Sequence, residues 1–454
     1  MYYKSKSNKE VIYKFLLISF VIGMLISPAI LSSNNARYVN DFETESDADK
    51  IGVLIINYGE PTTFTNETFD DFKAYMLHMI NIGMLPSFLK QIDKGTILTD
   101  TKNDNWVFPW QRNLVNAWGE TVFPIGLYSK GNENMHTFPH YFTPFYGRGF
   151  KEPDIFEQAT LTAYHSWMNM DNYSPYKDQT MPQVRSVIDE LEYEFGDSIV
   201  CTSAFGFEHG SITTATTNLL KQNISKLIAA PQMVVESNFE GKFHWYKEIY
   251  QTINESNMNI PVYIAEQIGS QPSFVESIVL KTSEELDNIS TNEKVYLFLS
   301  NHGFPKVKSG SYDCGADPYH DNADRVFRLV SNAISENVST EKLIGIKKIY
   351  AEFAEGSDDP NNEVFSPLEA LSTLPVGCTY VINIPYGFLG ENTDTLNALR
   401  DAFDVTGWDN NYETEFFYEN NVTVKITTCS FHKGLQKQAL YESITAKINT
   451  LLNK

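Results

Sequence analysis

The stretch KVYLFLSNHG (Lys294–Gly303) decides the fold. An apolar run ends here in Ser, Asn, His and Gly, which is typical of a buried parallel strand that leads into a loop. Residues 322–334 follow with the apolar spacing of a helix. Because a buried strand followed by a helix is the repeating unit of α/β proteins, this segment predicts a parallel sheet with helices on its faces.

The same strand-then-helix order recurs on both sides of this stretch. Further strands are predicted in IGVLIINYGEP (Ile51–Pro61), Ser198–Phe207, Lys226–Val235, 261–267, 347–355 and Val376–Phe388, and further helices in Ser211–Gln222, Lys242–Asn254, Pro272–Asn288, from about 392, and Gly434–Leu452. We therefore expect two doubly wound, Rossmann-like lobes with parallel sheets flanked by helices, at 50–225 and 226–430, followed by a C-terminal helix in 431–454. Functional residues of such folds lie at the carboxyl ends of the strands.

Residues 85–180 break this pattern. The segment is rich in Trp, Phe, Tyr, Pro and Asn, as in HTFPHYFTPFYGRGF (His136–Phe150), and its periodicity is weak. An irregular segment of this length favours an insertion that covers a cleft. Ordinary packing of an aromatic cluster is the alternative, and the sequence leaves both open.

The amino terminus predicts export. Residues 1–14 contain four lysines, and Phe15–Leu31 is an almost uncharged apolar run. This order is that of a signal peptide or a signal-anchor helix in 1–36, with a polar linker at 37–49. Lysines on the short leading side place the body of the protein outside the cytoplasm, with a possible membrane attachment through the leader. The choice between a cleaved and an uncleaved leader stays open.

Composition excludes several classes of protein. The 454 residues carry 35 Lys and Arg against 57 Asp and Glu, a formal charge of −22. A nucleic-acid-binding body needs a basic surface, so no nucleic-acid partner is expected. The four cysteines show no CxxC pair, which argues against a structural zinc or iron–sulfur site, although an exported chain could form up to two disulfides.

Two strand ends carry groups suited to proton transfer. His302 follows a predicted strand beside Gly303, and an imidazole titrates near neutral pH. Glu391 and Asp394 lie three residues apart at a predicted helix start, so their carboxylates would share one helical face. Taken alone, the histidine could be structural and the acids could simply stabilise the helix start.

Several motifs, in this order, resemble those of the ferrochelatases, the class II chelatases that insert ferrous iron into a porphyrin. They are IINYGEP (Ile55–Pro61), SNHGFP (Ser300–Pro305), GADPY (Gly315–Tyr319), PYGFLGENTDTL (Pro385–Leu396) and TCSFHKGLQKQALYESI (Thr428–Ile444). The corresponding family motifs are LNxGxP, SxHxxP, GDPY, a strand followed by PxGFxSDHIETL, and a final CLN…PxFIEAL stretch. Ala316 stands where the third motif has Gly. In the fourth, Glu391, Asn392 and Asp394 take the places of the family's Asp, His and Glu.

The resemblance implies chelatase-type lobes and a last helix packed back on the first lobe. It implies His302 as the proton acceptor, Asp394 as its acidic partner and Glu391 as support, with His302 and Asp394 as transient metal ligands. It assigns substrate contacts to Tyr58, Pro305, Tyr319 and Asn392. It also implies a porphyrin partner and Fe²⁺ as a substrate rather than a tightly bound cofactor.

The substitutions keep two other functions open. Asp394 is one methylene shorter than the family's Glu, and Asn392 removes a titratable group. A non-catalytic tetrapyrrole- or metal-binding protein on the same scaffold is one alternative. A cobalt chelatase acting on another tetrapyrrole is the second.

Overall fold

The computed structural model describes residues 50–63, 65, 167, 169–304, 316–338, 341–351 and 365–452, and the backbone of 114–115 and 121–122. The predicted leader and linker and most of the aromatic-rich insertion lie outside these residues. Pro305 and Cys314 do so as well.

The first sheet has four parallel strands in the order β4-β1-β5-β6. They are β1 (Ile51–Asn57), β4 (Ile199–Phe205), β5 (Lys226–Pro231) and β6 (Val262–Ile264), and the two-residue strands β2 (Leu114–Val115) and β3 (Thr121–Val122) pair separately. Every residue of β1 is buried, as its continuous apolar sequence requires of a central strand. Its register aligns Ile51 with Ile199 on one side and with Lys226 on the other.

The second sheet has five strands in the order β10-β11-β9-β7-β8, of which β10 alone runs antiparallel to its neighbour. They are β7 (Val295–Asn301), β8 (Leu343–Tyr350), β9 (Tyr380–Pro385), β10 (Thr414–Tyr418) and β11 (Val422–Ile426). The central strands β7 and β9 are almost fully buried. Their carboxyl ends, at Asn301 and Pro385, meet at one edge of the sheet.

Helices join the strands of both sheets. They are α1 (Tyr176–Phe195), α2 (Ser211–Leu220), α3 (Tyr246–Glu255), α4 (Pro272–Asp287), α5 (Tyr319–Asn337), α6 (Pro367–Ser372), α7 (Leu399–Ala402) and α8 (Lys433–Leu451). A π-helical turn precedes α3 at Gly241–Trp245, and a second precedes α7 at Asp394–Ala398. The predicted α/β class with parallel sheets flanked by helices is confirmed.

The first sheet extends beyond residue 225, where the sequence predicts the end of the first lobe. Strands β5 and β6 pair with β1, so the first sheet continues to Ile264. The strand–helix alternation is the same on both sides of 225, and pairing partners, not local pattern, decide where one sheet ends. The C-terminal helix α8 contacts α1 and β5 of the first sheet, and also α4.

Two other expectations concern the membrane and the cysteines. Within the part of the chain that the structure describes, no helix is long and apolar enough to cross a membrane. The predicted leader falls outside that part. Among the described residues, Cys201, Cys378 and Cys429 are free thiols.

Candidate active site

His302 lies directly beyond the carboxyl end of β7. Its backbone N–H donates to Oδ1 of Asn301 (2.9 Å), and its ring Nδ1 lies 2.7 Å from the carbonyl oxygen of Gly303. Because a carbonyl oxygen only accepts, Nδ1 carries the proton in this contact and Nε2 is the basic nitrogen of the neutral ring. The Gly303 backbone has φ +102°, a conformation that other residues rarely adopt.

Asp394 is the carboxylate that faces this ring. It opens the π-helical turn, and its Oδ1 lies 3.8 Å from Nε2 of His302, with side chains 23% and 29% exposed respectively. Burial raises the pKa of Asp394, and the His302 imidazole partly offsets this rise. The predicted pairing of His302 with Asp394 is therefore present in the structure.

Glu391 is placed differently from the prediction. It precedes the helical turn, is fully buried and shares no helical face with Asp394. Its carboxylate accepts hydrogen bonds from Thr395 Oγ1 (2.6 Å), Thr428 Oγ1 (2.7 Å) and Cys429 N (2.5 Å). Its two oxygens accept from three donors, so this carboxylate joins two loops. It does not form a shared acidic face with Asp394.

Asn392 is also used within its own loop. Its Oδ1 accepts from Thr395 N and its backbone N–H donates to Thr395 Oγ1, both at 2.9 Å. The side chain is fully buried, and its Nδ2 has no hydrogen-bond partner among the described residues. This pattern is that of a residue that caps the first turn of a helix. A substrate contact would have to come from the unpartnered amide nitrogen.

An aromatic group lies beside His302. The Tyr58 ring lies 5.7 Å from the Phe388 ring, and Phe388 lies 6.3 Å edge-on from the His302 ring. Tyr176 and Phe207 pack on Tyr58 at 5.8 and 6.1 Å. Burial raises the pKa of Tyr58 well above its usual value, and the charges of Asp394, Glu60 and Glu240 add to the rise. The motif residue Tyr58 is therefore part of the same site as His302 and Asp394.

Tyr319 supports the loop that carries His302. Its hydroxyl accepts a hydrogen bond from Gly303 N (3.0 Å). The Asp317 carboxylate accepts from Tyr319 N (2.9 Å) with one oxygen and from Phe239 N (3.1 Å) with the other. The GADPY segment thus ties the start of α5 to the end of β7. Pro305, the remaining predicted contact, lies outside the described residues.

Glu60 is the site residue that sequence reasoning missed. It is 1% exposed, and its carboxyl group accepts from Thr393 N (3.1 and 3.3 Å), from Thr393 Oγ1 (2.8 Å) and from Ser174 Oγ. Burial raises the pKa of Glu60 to about 8, and the nearby charge of Asp394 contributes to the rise. It occupies the variable position of the LNxGxP motif, so the only available signal was a carboxylate beside Tyr58.

Two motif glycines permit close contacts at the site. A Cβ on Gly387 would lie 2.2 Å from Asn301 Oδ1, the atom that accepts from His302 N. A Cβ on Gly59 would lie 2.5 Å from the Phe205 ring, and Gly59 has φ +69°. The two strand-end loops therefore approach their neighbours at distances that only glycine allows.

The arrangement suits proton transfer and weak metal binding. One imidazole nitrogen and one carboxylate oxygen face each other across 3.8 Å, beside an aromatic group. Within the described part of the chain, no cluster of three or more His, Cys, Asp or Glu could hold a metal ion. A two-ligand site binds a divalent ion weakly and releases it readily.

Comparison with known proteins finds similarity to ferrochelatases. The ferrochelatase family model matches residues 153–346. The ferrochelatase of Gloeothece citriformis is 22% identical over 281 residues, which cover 56% of this chain and 67% of that protein. The ferrochelatase of Geobacter metallireducens is 20% identical over 229 residues, covering 50% of this chain and 66% of that protein. These matches support the resemblance of the chain to the ferrochelatases.

The resemblance to the ferrochelatases that the motifs indicate is thus confirmed. Alignments with both ferrochelatases span about two thirds of their length. Among solved structures, SirB from Bacillus subtilis with Fe³⁺ aligns with a TM-score of 0.39 at 10% identity, covering 59% of this chain and 90% of SirB.

Proposed function

We propose that this protein inserts ferrous iron into a porphyrin, with His302 as the proton acceptor. The observation that carries the proposal is the contact of His302 Nε2 with Asp394 Oδ1 beside the ring of Phe388. Metallation replaces two pyrrole N–H protons by one divalent ion, so the site must take up protons and present a metal. The resemblance of the motifs supplies the choice of iron and porphyrin.

His302 has the geometry of a general base. The contact with the Gly303 carbonyl keeps the ring proton on Nδ1, so Nε2 accepts a pyrrole proton without a change of tautomer. The charged ring that results lies against Asp394, which stabilises it. The proton then passes through Asp394 to water, which frees Nε2 to accept the second pyrrole proton.

His302 and Asp394 serve as transient ligands to the incoming ion. An imidazole nitrogen and one carboxylate oxygen form an incomplete coordination shell, and the pyrrole nitrogens complete it as the ion enters the ring. The aromatic group of Tyr58 and Phe388 offers apolar contact to a flat macrocycle. Iron is thus a substrate, and no tightly bound cofactor is needed.

Binding of a tetrapyrrole without turnover is the second candidate. Glu391 and Asn392 hold neighbouring loops, so the carboxylate shown to face His302 is that of Asp394. A cobalt chelatase acting on another tetrapyrrole is the third.

A metallation assay on residues 37–454 separates these functions. Purified protein is mixed with a porphyrin and with Fe²⁺, Co²⁺ or Zn²⁺ under anaerobic conditions, and metalloporphyrin is followed by absorbance. Turnover with Fe²⁺ supports the proposal, and porphyrin binding without turnover supports the second candidate. Turnover that survives His302→Ala would refute the assigned base. His432→Asn is the matched control, because His432 lies at the start of α8 with φ +42°, which Asn tolerates.

We also propose that the protein is exported, with its body outside the cytoplasm and the leader as the possible membrane attachment. The support is the sequence of residues 1–31 alone, four lysines followed by an apolar run. Fusions of a periplasmic reporter enzyme after residue 49 test this. Reporter activity comparable to that of a cytoplasmic control would contradict export.

A further inference from the structure

Glu60 connects the first sheet to the turn that carries Asp394. It follows β1, whereas Asp394 follows β9 of the second sheet. Its carboxyl group accepts hydrogen bonds from both the backbone N–H and the hydroxyl of Thr393, the residue directly before Asp394. We propose that Glu60 is a positioning residue of the site, whose carboxyl group, held in its protonated form, clamps Thr393 and so sets Asp394 against His302.

The contacts of Glu60 fix its position closely. Ser174 donates to Oε1 from the segment before α1, and Ser174 N donates to the carbonyl oxygen of Thr62 (2.7 Å), two residues beyond Glu60. Trp167 Nε1 donates to the Pro61 carbonyl oxygen (2.9 Å). The chain around Glu60 is therefore held on both sides, and its carboxyl group presents a fixed acceptor to Thr393.

The surroundings favour the neutral carboxyl group. In the part of the chain that the structure describes, its hydrogen-bond partners, Ser174 and Thr393, are uncharged, while the titratable groups that face it are the carboxyl of Asp394 and the phenols of Tyr58 and Tyr176. A buried carboxylate next to a second carboxylate and without a cation is costly. Because a hydroxyl both donates and accepts, Ser174 or Thr393 can accept the proton of Glu60 without losing the contact.

The consequence is a division of roles between two carboxyl groups. Glu60 holds the Thr393 backbone and keeps its proton, and Asp394 keeps the charge that faces His302. Position 60 is a variable position of the LNxGxP motif, so the motif itself does not specify this role of Glu60. The role in turnover rests on the proposed function, whereas the protonation state of Glu60 does not.

If the Glu60 carboxyl group is neutral, its replacement by Gln and its replacement by Ala should have different effects on kcat. Glu60→Gln keeps one acceptor oxygen and replaces the acid proton by an amide donor, so we expect kcat within about threefold of wild type, the size of one altered neutral hydrogen bond. Glu60→Ala removes the clamp on Thr393, and a misplaced Asp394 lowers kcat by on the order of 10²-fold. A working carboxylate would make both variants equally poor, and that result would overturn the proposal.

The pH profile separates this role from a merely structural one. Ionisation of Glu60 beside Asp394 produces a change in kcat near pH 8 in wild type, and Glu60→Gln lacks this change. Ser174→Ala removes a donor that stabilises the Glu60 carboxylate. In this variant the change in kcat should therefore occur at higher pH. Glu285→Gln is the control, because Glu285 is a buried carboxylate of α4 paired with Lys281 and Lys425. The Glu285→Gln variant should keep the change in kcat near pH 8. If this control also loses that change, the proposal is overturned.

Infrared difference spectra test the protonation without any assay of activity. Between pH 6 and 10, wild type should lose a carboxylic-acid C=O band that Glu60→Gln lacks throughout. If the protein has no metallation activity but shows this band, the proposed function fails and Glu60 remains a neutral acid. If turnover is present and the band is absent, the inference about Glu60 fails and the proposed function stands.

Discussion

His302 and Asp394 meet at the ends of two adjacent strands of one sheet. His302 follows β7 and Asp394 follows β9, and these strands pair in parallel with Ser300 opposite Pro385. The register brings the carboxyl ends of the two strands together, and the loop after β9 carries Asp394 Oδ1 to 3.8 Å from His302 Nε2. Carboxyl ends of neighbouring parallel strands are the usual place for functional groups in α/β proteins.

Replacing Asp394 tests the electrostatic half of this pair. Asp394→Asn keeps the size of the side chain but removes the charge that stabilises the protonated His302 ring. We expect the rate of metallation to fall by on the order of 10²-fold. Asp394→Glu keeps the charge and restores the length found in the family motif, so it should retain most of the activity. Steady-state rates with varied metal concentration measure both effects, and equal rates for Asp394→Asn and wild type would contradict the assigned role.

His302→Gln tests the proton acceptor. Glutamine retains hydrogen-bonding capacity but takes up no proton at neutral pH, and loss of a general base costs about 10²–10⁴-fold in rate. Porphyrin binding, measured by fluorescence quenching, should change little in comparison. A variant that loses binding and turnover together would indicate that His302 holds the macrocycle instead.

Gly387→Ala tests the contact between the two strand-end loops. Its Cβ would lie 2.2 Å from Asn301 Oδ1, so the loop that carries His302 must shift. We expect a loss of about 1–3 kcal/mol in the free energy of unfolding, the cost of overpacking, together with lower activity. Gly434→Ala is the control, since a Cβ in the first turn of α8 meets nothing within 4 Å and should be neutral or stabilising. Denaturant unfolding curves compare the two variants, and equal stabilities would refute the contact.

Glu391 is predicted to matter for stability. Glu391→Ala leaves the hydroxyls of Thr395 and Thr428 and the backbone N–H of Cys429 without their acceptor. We expect a loss of more than about 2 kcal/mol, because each buried unpaired donor costs about 1–3 kcal/mol. Glu336→Ala, at an exposed position of α5, should stay within about 0.5 kcal/mol of wild type. A Glu391→Ala variant as stable as wild type would contradict the structural role.

The sequence predicts the parts of this molecule that depend on local pattern. Buried strands such as β7 and β9 appear as continuous apolar runs, and the segments that follow them contain His302 and Asp394. The sheet boundary, the antiparallel strand β10 and the helix α1, which begins at the end of the segment with weak periodicity, are not predicted, since strand pairing and packing decide them.

The sequence also does not predict the orientation of the Glu391 side chain or the role of Glu60. Spacing of three residues indicates a shared face only when both residues are helical, and Glu391 precedes the turn. The contact of Glu60 with Thr393 joins strand ends of different sheets, which no local pattern reveals. The tertiary fold therefore supplies the second carboxyl group of the site.

The stability of the protein should depend on pH through Glu60. Its pKa is about 8 in the folded protein and close to 4.5 in the unfolded chain, so the folded state binds the proton more tightly. The resulting stabilisation is fully present below pH 4.5 and is lost as the pH rises through 8. Glu60→Gln removes this titration, and the decline of Tm between pH 5 and 9 should become shallower in the variant. Thermal unfolding in a series of buffers measures the two slopes. Parallel curves for wild type and Glu60→Gln would show that Glu60 is ionised in the folded protein throughout this range.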